Sequence, residues 1–383
     1  MSEPFDMTLV QRGARLRRSP FFAATQRYGA KAYTVYNHML FPINFDDLEQ
    51  EYWRLVNDVT LWDVSVERQL EIRGPDAFAF ANWLTPRDLN RCAVGQGKYV
   101  LLTATDGGII NDPVLLRLGE NHFWLALADS DALLWAKGAA LQGGFDVQLG
   151  EPDVSPLQVQ GPKAKLVVGD LFGPPVLALD YYHFLETDLD DIPVLVTRTG
   201  WSGEIGYEIY LRDSRLGDAL WERIMAAGGP YNIAPTGPSD IRRIEAGILN
   251  YGADMTLENN PYEVGLGWLV DLEQEAEFSG KAALQRLKEE GVSRRLVGLE
   301  IAAEPLPFNM TRWPILAEGA EVGAVTSALW SPRLERNIGY GFVPPRLEAV
   351  GTKLEVVVPE LGVRPARVAR KPFVDPDKEI PKS

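Results

Sequence analysis

A carboxylate stands between aromatic residues in the run Arg198-Thr199-Gly200-Trp201-Ser202-Gly203-Glu204-Ile205-Gly206-Tyr207-Glu208-Ile209-Tyr210. The run reads as a strand end, a glycine turn and a second strand. Glycines at 200, 203 and 206 permit positive φ and a close approach of the backbone to a ligand. Strand alternation puts Glu208 and Tyr210 on one face and Tyr207 and Ile209 on the other. An acid beside an aromatic floor suits a flat heterocycle with two N–H donors, because paired charge-assisted bonds fix its orientation. The plainer alternative is a hairpin with a solvated glutamate.

A second acid, Asp112, closes the segment Asp106-Gly107-Gly108-Ile109-Ile110-Asn111-Asp112-Pro113, which follows a strand carrying Tyr99. Asp106-Gly107-Gly108 predicts a hairpin turn. Asp112 then heads an apolar strand, Val114 to Leu118. Burial there would raise its pKa and let it hold or steer a proton. The alternative is an aspartate that simply ends a turn.

The elements that must position these acids show signs of duplication. Leu70-Glu71-Ile72-Arg73-Gly74-Pro75-Asp76-Ala77 and Leu157-Gln158-Val159-Gln160-Gly161-Pro162-Lys163-Ala164 each read as a strand, a Gly-Pro turn and a helix with proline in its first turn. Two related α+β subdomains are therefore expected. Asn44 to Asn57 predicts an amphipathic helix with Phe45, Leu48, Tyr52 and Leu55 inward. Ser130 and Asp131 are positioned to cap a helix running to Leu141. Leu216, Leu220 and Ile224 mark another apolar stripe. From about residue 294 the pattern changes to short strands, Leu296 to Ile301, Glu321 to Ser327, Asn337 to Val343 and Leu354 to Val358. The expected division is 1–293 and a β-rich domain, 294–383.

Composition narrows the function classes. The 383 residues carry 38 basic and 53 acidic side chains, a net charge of −15, which argues against nucleic acid as a partner. A basic strip, Arg12, Arg15, Arg17 and Arg18, reads as a solvated arm rather than a transit peptide. No apolar run is long enough to span a membrane, and no signal peptide is expected. Cys92 is alone, and His38, His122 and His183 are scattered, so neither a disulfide nor a histidine-rich metal site is expected. A cytoplasmic, metal-free chemistry is the expectation. No dinucleotide-binding or P-loop glycine motif occurs.

Gly200-Trp201-Ser202-Gly203-Glu204-Ile205-Gly206-Tyr207-Glu208 resembles the G-Y-T-G-E-D-G-F-E signature of the glycine-cleavage T-protein (aminomethyltransferase) family. Gly107 to Asp112 resembles its G-G-x-x-D-D, Arg243-Ile244-Glu245-Ala246-Gly247 its R-L-E-A-G, and Pro261 to Trp268 its P-x-E-x-G-L-x-W. Phe278-Ser279-Gly280-Lys281 is similar to its F-x-G-K. The matches fall in order from about residue 30 to 375. The resemblance implies an α+β, three-part folate-binding fold: two α+β subdomains and a C-terminal β-barrel around a central hole. It also implies tetrahydrofolate as the cofactor, with Glu208 gripping the pterin, Asp112 near the reacting nitrogens and Tyr99 lining the same pocket.

Departures from that pattern resemble the dimethylsulfoniopropionate demethylase branch of the family. They are Tyr33-Thr34-Val35-Tyr36-Asn37-His38-Met39-Leu40, Trp62 to Gln69 with Val66 and Glu67, Asn111 to Val114, and Ala128 to Asp131. The branch moves a methyl group from a sulfonium carboxylate to N5 of tetrahydrofolate. A lipoyl carrier protein is not expected as a partner, given Val66 and Ser239 at positions where T-proteins differ. An onium methyl needs desolvation and aim more than acid or metal, and an aromatic wall to hold its charge. Trp201, Tyr36, Tyr207 and Trp124 are the candidates for that wall. Gly203-Glu204-Ile205 stands where the branch has Lys-Gln-Gly, so a cation is lost and an acid gained beside the pocket, which leaves a betaine or methoxy-arene donor open. An aminomethyltransferase and a non-catalytic folate-binding module are the remaining alternatives.

Overall fold

The computed structural model describes residue 13 and residues 15–383, so Arg12 of the basic strip lies outside the described residues. Arg17 is not part of a free arm. It pairs with Glu151 at 2.7 Å, and the Arg18 guanidinium lies 5.1 Å from the Phe22 ring centre.

Two antiparallel-rich sheets carry the first three-quarters of the chain. The five-stranded sheet runs in the order Gln148–Gly150, Gln69–Arg73, His122–Ala126, Val114–Gly119, Gly97–Tyr99. The six-stranded sheet runs Phe184–Leu189, Ile192–Thr197, Gly206–Leu211, Ser155–Gln160, Val59–Asp63, Ile233–Pro235. The last pair is parallel. The Val59–Asp63 strand precedes the first sheet in sequence yet lies inside the second, so the two subdomains are interleaved.

The repeated strand–turn–helix unit is present in both. Gly74 and Gly161 have φ of 127° and 126°. A Cβ there would come within 2.7 Å of Asp146 O and 2.6 Å of Asp58 O respectively, so both turns require glycine. The helices that follow, Ala77–Leu84 and Ala164–Phe172, start two residues after Pro75 and Pro162. The prolines therefore lie just outside the first turn rather than in it.

Each sheet buries one face against helices. Leu157, Val159, Tyr207, Ile209, Val194 and Val196 pack with Leu220, Trp221 and Ile224 of the Gly217–Gly228 helix. Helix Leu48–Asn57 is capped by Asp47, whose carboxylate accepts from the Glu49 and Gln50 amides. Tyr52 and Leu55 point inward as the spacing predicts, but Leu48 is 63% exposed, at the rim of the central chamber. Helix Ala132–Gly143 buries its alanines 132, 136 and 140 rather than its leucines. Asp131 holds the N-cap position without a side-chain cap bond, and Ser130 Oγ, one residue earlier, accepts from the Ala132 amide at 3.3 Å.

The C-terminal strands close into a six-stranded barrel: Arg295–Ile301, Arg336–Val343, Ala320–Ser331, Trp313–Ala317, Lys353–Val358, Gly362–Ala369. The barrel is tied to the first part through Arg243. Its Nη1 donates to Asp254 at 2.7 Å and its Nη2 to Ser327 at 3.0 Å. The fold is α+β, with two subdomains and a barrel. Among the described residues no helix is long and apolar enough to cross a membrane.

Candidate active site

The polar face of the six-stranded sheet forms one wall of a chamber of about 1520 Å³. Thr197, Glu208, Gln158 and Trp62 are cross-strand neighbours on four adjacent strands. Glu208 is buried, and its two oxygens are clamped. Gln158 Nε2 donates to one at 2.9 Å and the Tyr210 hydroxyl to the other at 2.7 Å. Burial pushes the Glu208 carboxyl above the usual range, and the bonds from Tyr210, Thr199, Gln158 and Thr197 pull it back.

The glycines of the preceding turn serve a neighbour as much as a ligand. A Cβ on Gly200 or Gly206 would fall 2.2 or 2.4 Å from Gln160 Oε1. That oxygen accepts from Ser202 Oγ at 2.6 Å. Of the three, only Gly203 has positive φ, 69°.

On the facing wall, Tyr99 donates to Asp112 Oδ2 at 3.0 Å. Burial lifts the Asp112 carboxyl to about 7, against the pull of that bond. Glu67, within one of the segments that depart from the T-protein pattern, also lines the chamber. Burial and the nearby Glu208 and Asp112 charges hold its carboxyl well above the usual range. Among the described residues its side chain has no hydrogen-bond or ion-pair partner. No three His, Cys, Asp or Glu side chains among the described residues come together to hold a metal ion.

Asn37 organises this wall. It lies in a left-handed turn, φ 47°, and its Nδ2 donates to Val66 O at 2.9 Å and Leu127 O at 3.1 Å. Its backbone N–H donates to Asp129 Oδ1, and its Oδ1 accepts from the Ser130 amide. Asn111 Nδ2 reaches Ala128 O and Ser130 Oγ. These bonds bring Tyr36, Glu67 and Asp112 to one side of the chamber. His38 is in the same turn but exposed, with its carbonyl bonded to the Arg17 amide.

The structure brings Tyr36, Tyr99, Asp112, Trp201 and Glu208 to the chamber lining, and leaves out two of the sequence candidates. Tyr207 faces the helices in the hydrophobic core, because it alternates with Glu208 along the strand. Trp124 packs with Leu116, Phe184, Leu195 and Tyr210 where the two sheets meet, and its indole N–H donates to Glu71 at 2.9 Å. Neither can form the aromatic wall. Glu204 is also not a free acid facing substrate. It is buried, with Arg242 Nε donating to it at 2.7 Å. Local sequence gave no signal for Gln158, whose contact with the chamber acid Glu208 depends on a strand 50 positions away.

Arg87, Lys98 and Lys371 line another stretch of the chamber, without ion-pair partners among the described residues. Burial pushes the Lys371 ammonium down to about 8. Its Nζ lies 5.5 Å from the Tyr340 ring centre.

The chamber exceeds the usual range of about 300–1,000 Å³ for one small ligand and is lined by both acids and cations, so it has room for a large ligand beside a small one. Residues 21–274 match the GCVT N-terminal domain and residues 294–375 the glycine cleavage T-protein C-terminal barrel domain. The chain belongs to the glycine cleavage T-protein family, and is a tetrahydrofolate-dependent transferase of one-carbon metabolism. It is 42% identical over 354 residues to dimethylsulfoniopropionate demethylase DmdA of Ruegeria pomeroyi, covering 92% of this chain and 96% of that one. It is 32% identical to the aminomethyltransferase of Bacillus subtilis, covering 94% and 99%. The solved aminomethyltransferase T of the Bartonella henselae glycine cleavage system superposes with a TM-score of 0.85 at 26% identity, over 94% of this chain and 98% of that one.

Proposed function

We propose that this enzyme is a demethylase that moves a methyl group from a small onium donor to N5 of tetrahydrofolate, with dimethylsulfoniopropionate the leading donor. The observation that carries this reading is the convergence at Asn37. The four segments that set the chain apart from the T-protein pattern are bonded to one another there and in the adjoining Asn111 bonds, beside Tyr36, Glu67 and Asp112. The 42% identity to a dimethylsulfoniopropionate demethylase supports it.

Tetrahydrofolate supplies the nucleophilic nitrogen. The unpartnered, buried Oε1 of Gln158 beside Glu208 fits a ligand rich in N–H donors. Glu208 grips the pterin edge, and Arg87, Lys98 and Lys371 receive the anionic tail. Tyr36 and Trp201 wall the onium centre, and Glu67 offsets its charge. Breaking the S–CH3 bond leaves a neutral sulfide, and methylation of N5 releases its proton. Asp112, oriented by Tyr99, holds that proton. Positioning accounts for most of the rate, since the donor is already activated by its charge.

The reading takes a small-molecule methyl donor, with Ser239 where T-proteins carry an arginine. Ser239 caps the Asp240–Glu245 helix, its Oγ accepting from the Arg242 amide at 3.2 Å. The test is incubation with tetrahydrofolate and a panel of sulfonium, betaine and methoxy donors, following folate products by mass spectrometry. Formation of 5-methyltetrahydrofolate supports the reading. Methylenetetrahydrofolate from an aminomethyl-carrier protein, with no methyl product, would replace it by aminomethyl transfer.

A further inference from the structure

Gln158 has a half-used side chain in the chamber wall. It lies directly opposite Glu208 on the adjacent strand and is 1% exposed. Its Nε2 donates to Glu208 Oε1 at 2.9 Å, while its Oε1 is buried with no partner. The orientation of the amide follows from its neighbour. Both Glu208 oxygens accept, one from Gln158 Nε2 and the other from the Tyr210 hydroxyl, so the NH2 group faces Glu208 and the carbonyl points elsewhere. A buried, unpaired acceptor costs about 1–3 kcal/mol. Facing a ligand chamber, that deficit is removed when the ligand brings a donor.

The amino-pyrimidinone edge of a pterin offers three such hydrogens, one ring N–H and two on the adjoining amino group. A carboxylate takes two side by side. The third needs another acceptor next to it, and a neutral carbonyl provides one without adding a second negative charge.

We propose that Gln158 is a folate-binding residue: its Oε1 accepts the remaining amino hydrogen of the pterin while its Nε2 holds Glu208, so that the pair recognises the 2-amino group as well as the ring. The assignment rests on Glu208 gripping the pterin, as argued under Proposed function. It makes Gln158 a specificity determinant for 2-amino-substituted rings.

The test is equilibrium binding, followed by tryptophan fluorescence, of tetrahydrofolate and of its 2-desamino-2-methyl analogue to wild type, Gln158→Met and Glu208→Gln. Gln158→Met is expected to weaken tetrahydrofolate binding roughly 5- to 150-fold and to change binding of the analogue less than about threefold, with the melting temperature of the free protein unchanged. Wild-type affinity for tetrahydrofolate in Gln158→Met, or an equal loss on both ligands, overturns the proposal, the second outcome reducing Gln158 to a brace for Glu208. Failure of wild type to bind tetrahydrofolate, or undiminished binding by Glu208→Gln, overturns the reading beneath it. Gln158→Leu, read the same way, serves where the methionine variant does not fold.

Discussion

Tyr99 donates its phenol hydrogen to Asp112 Oδ2 at 3.0 Å, tying this buried acid to a neighbouring strand. Burial places that acid at about 7, and its ionised form is the one able to take a proton. Below that pH the ionised fraction falls tenfold per unit. The logarithm of kcat/KM should therefore rise with unit slope up to about pH 7 and level off above it. Asp112→Asn should lower kcat by roughly 10²–10⁴, leave only the acidic limb that the raised Glu67 carboxyl contributes, and leave the folate Kd nearly unchanged. Equal losses in kcat and folate affinity would remove Asp112 from the proton's path.

Glu67 reports on the donor. Its unpartnered carboxylate in the chamber lining meets the positive centre in the proposed reaction. Glu67→Gln should raise KM for a sulfonium or quaternary ammonium donor roughly 10- to 100-fold, the scale of one charged contact. Folate affinity and turnover of a neutral methoxy donor, if one is found, should hold. Steady-state kinetics with paired charged and neutral donors checks this.

Lys371 should act on the other ligand. Lys371→Met should weaken tetrahydrofolate binding by about tenfold or more and flatten its dependence on ionic strength. Lys371→Arg should retain most of the affinity. Folate titrations at low and high salt separate the outcomes.

Arg242, which also lines the chamber, gives a test of stability. Its Nε donates to the buried Glu204 at 2.7 Å and its Nη2 to Gly203 O at 2.9 Å. Removing one partner of a buried pair is costly, but Arg333 Nη2 also lies 3.9 Å from Glu204 Oε1, so Arg242→Met should cost about 3 kcal/mol, the lower end for a broken buried pair. Arg242→Met with Glu204→Gln should recover a substantial part. The denaturant midpoints of the two variants give the comparison.

Strand period told the face of Glu208 from the sequence, and with it the separation of Tyr207, but not which face opened on a cavity. Both faces of the Gly206–Leu211 strand are buried, so the alternation carries no polar-out signal. Trp124 was offered as wall because it is aromatic. Its place was decided by Glu71 on the paired strand, invisible in local sequence. Glu204 seemed a free acid for the same reason, its partner Arg242 being 38 positions away. Turn and strand signals placed Asp112 at the head of an apolar strand, but its pairing with Tyr99 in one pocket was suggested only by the family resemblance. Leu48 and the leucines of the Ala132–Gly143 helix followed the helical period, yet the packing uses smaller alanines and a chamber rim.

The strand Val59–Asp63 has a consequence for biosynthesis. Its neighbours in the sheet are Ser155–Gln160 and Ile233–Pro235, so its second edge waits for about 170 further residues of chain. At ribosomal speeds of about 5–20 residues per second, that is roughly 9–35 s during which a strand wholly buried in the folded protein has an unpaired edge. The nascent chain is therefore most in need of a chaperone before its second subdomain emerges. Neither subdomain should be recoverable as a separately expressed fragment.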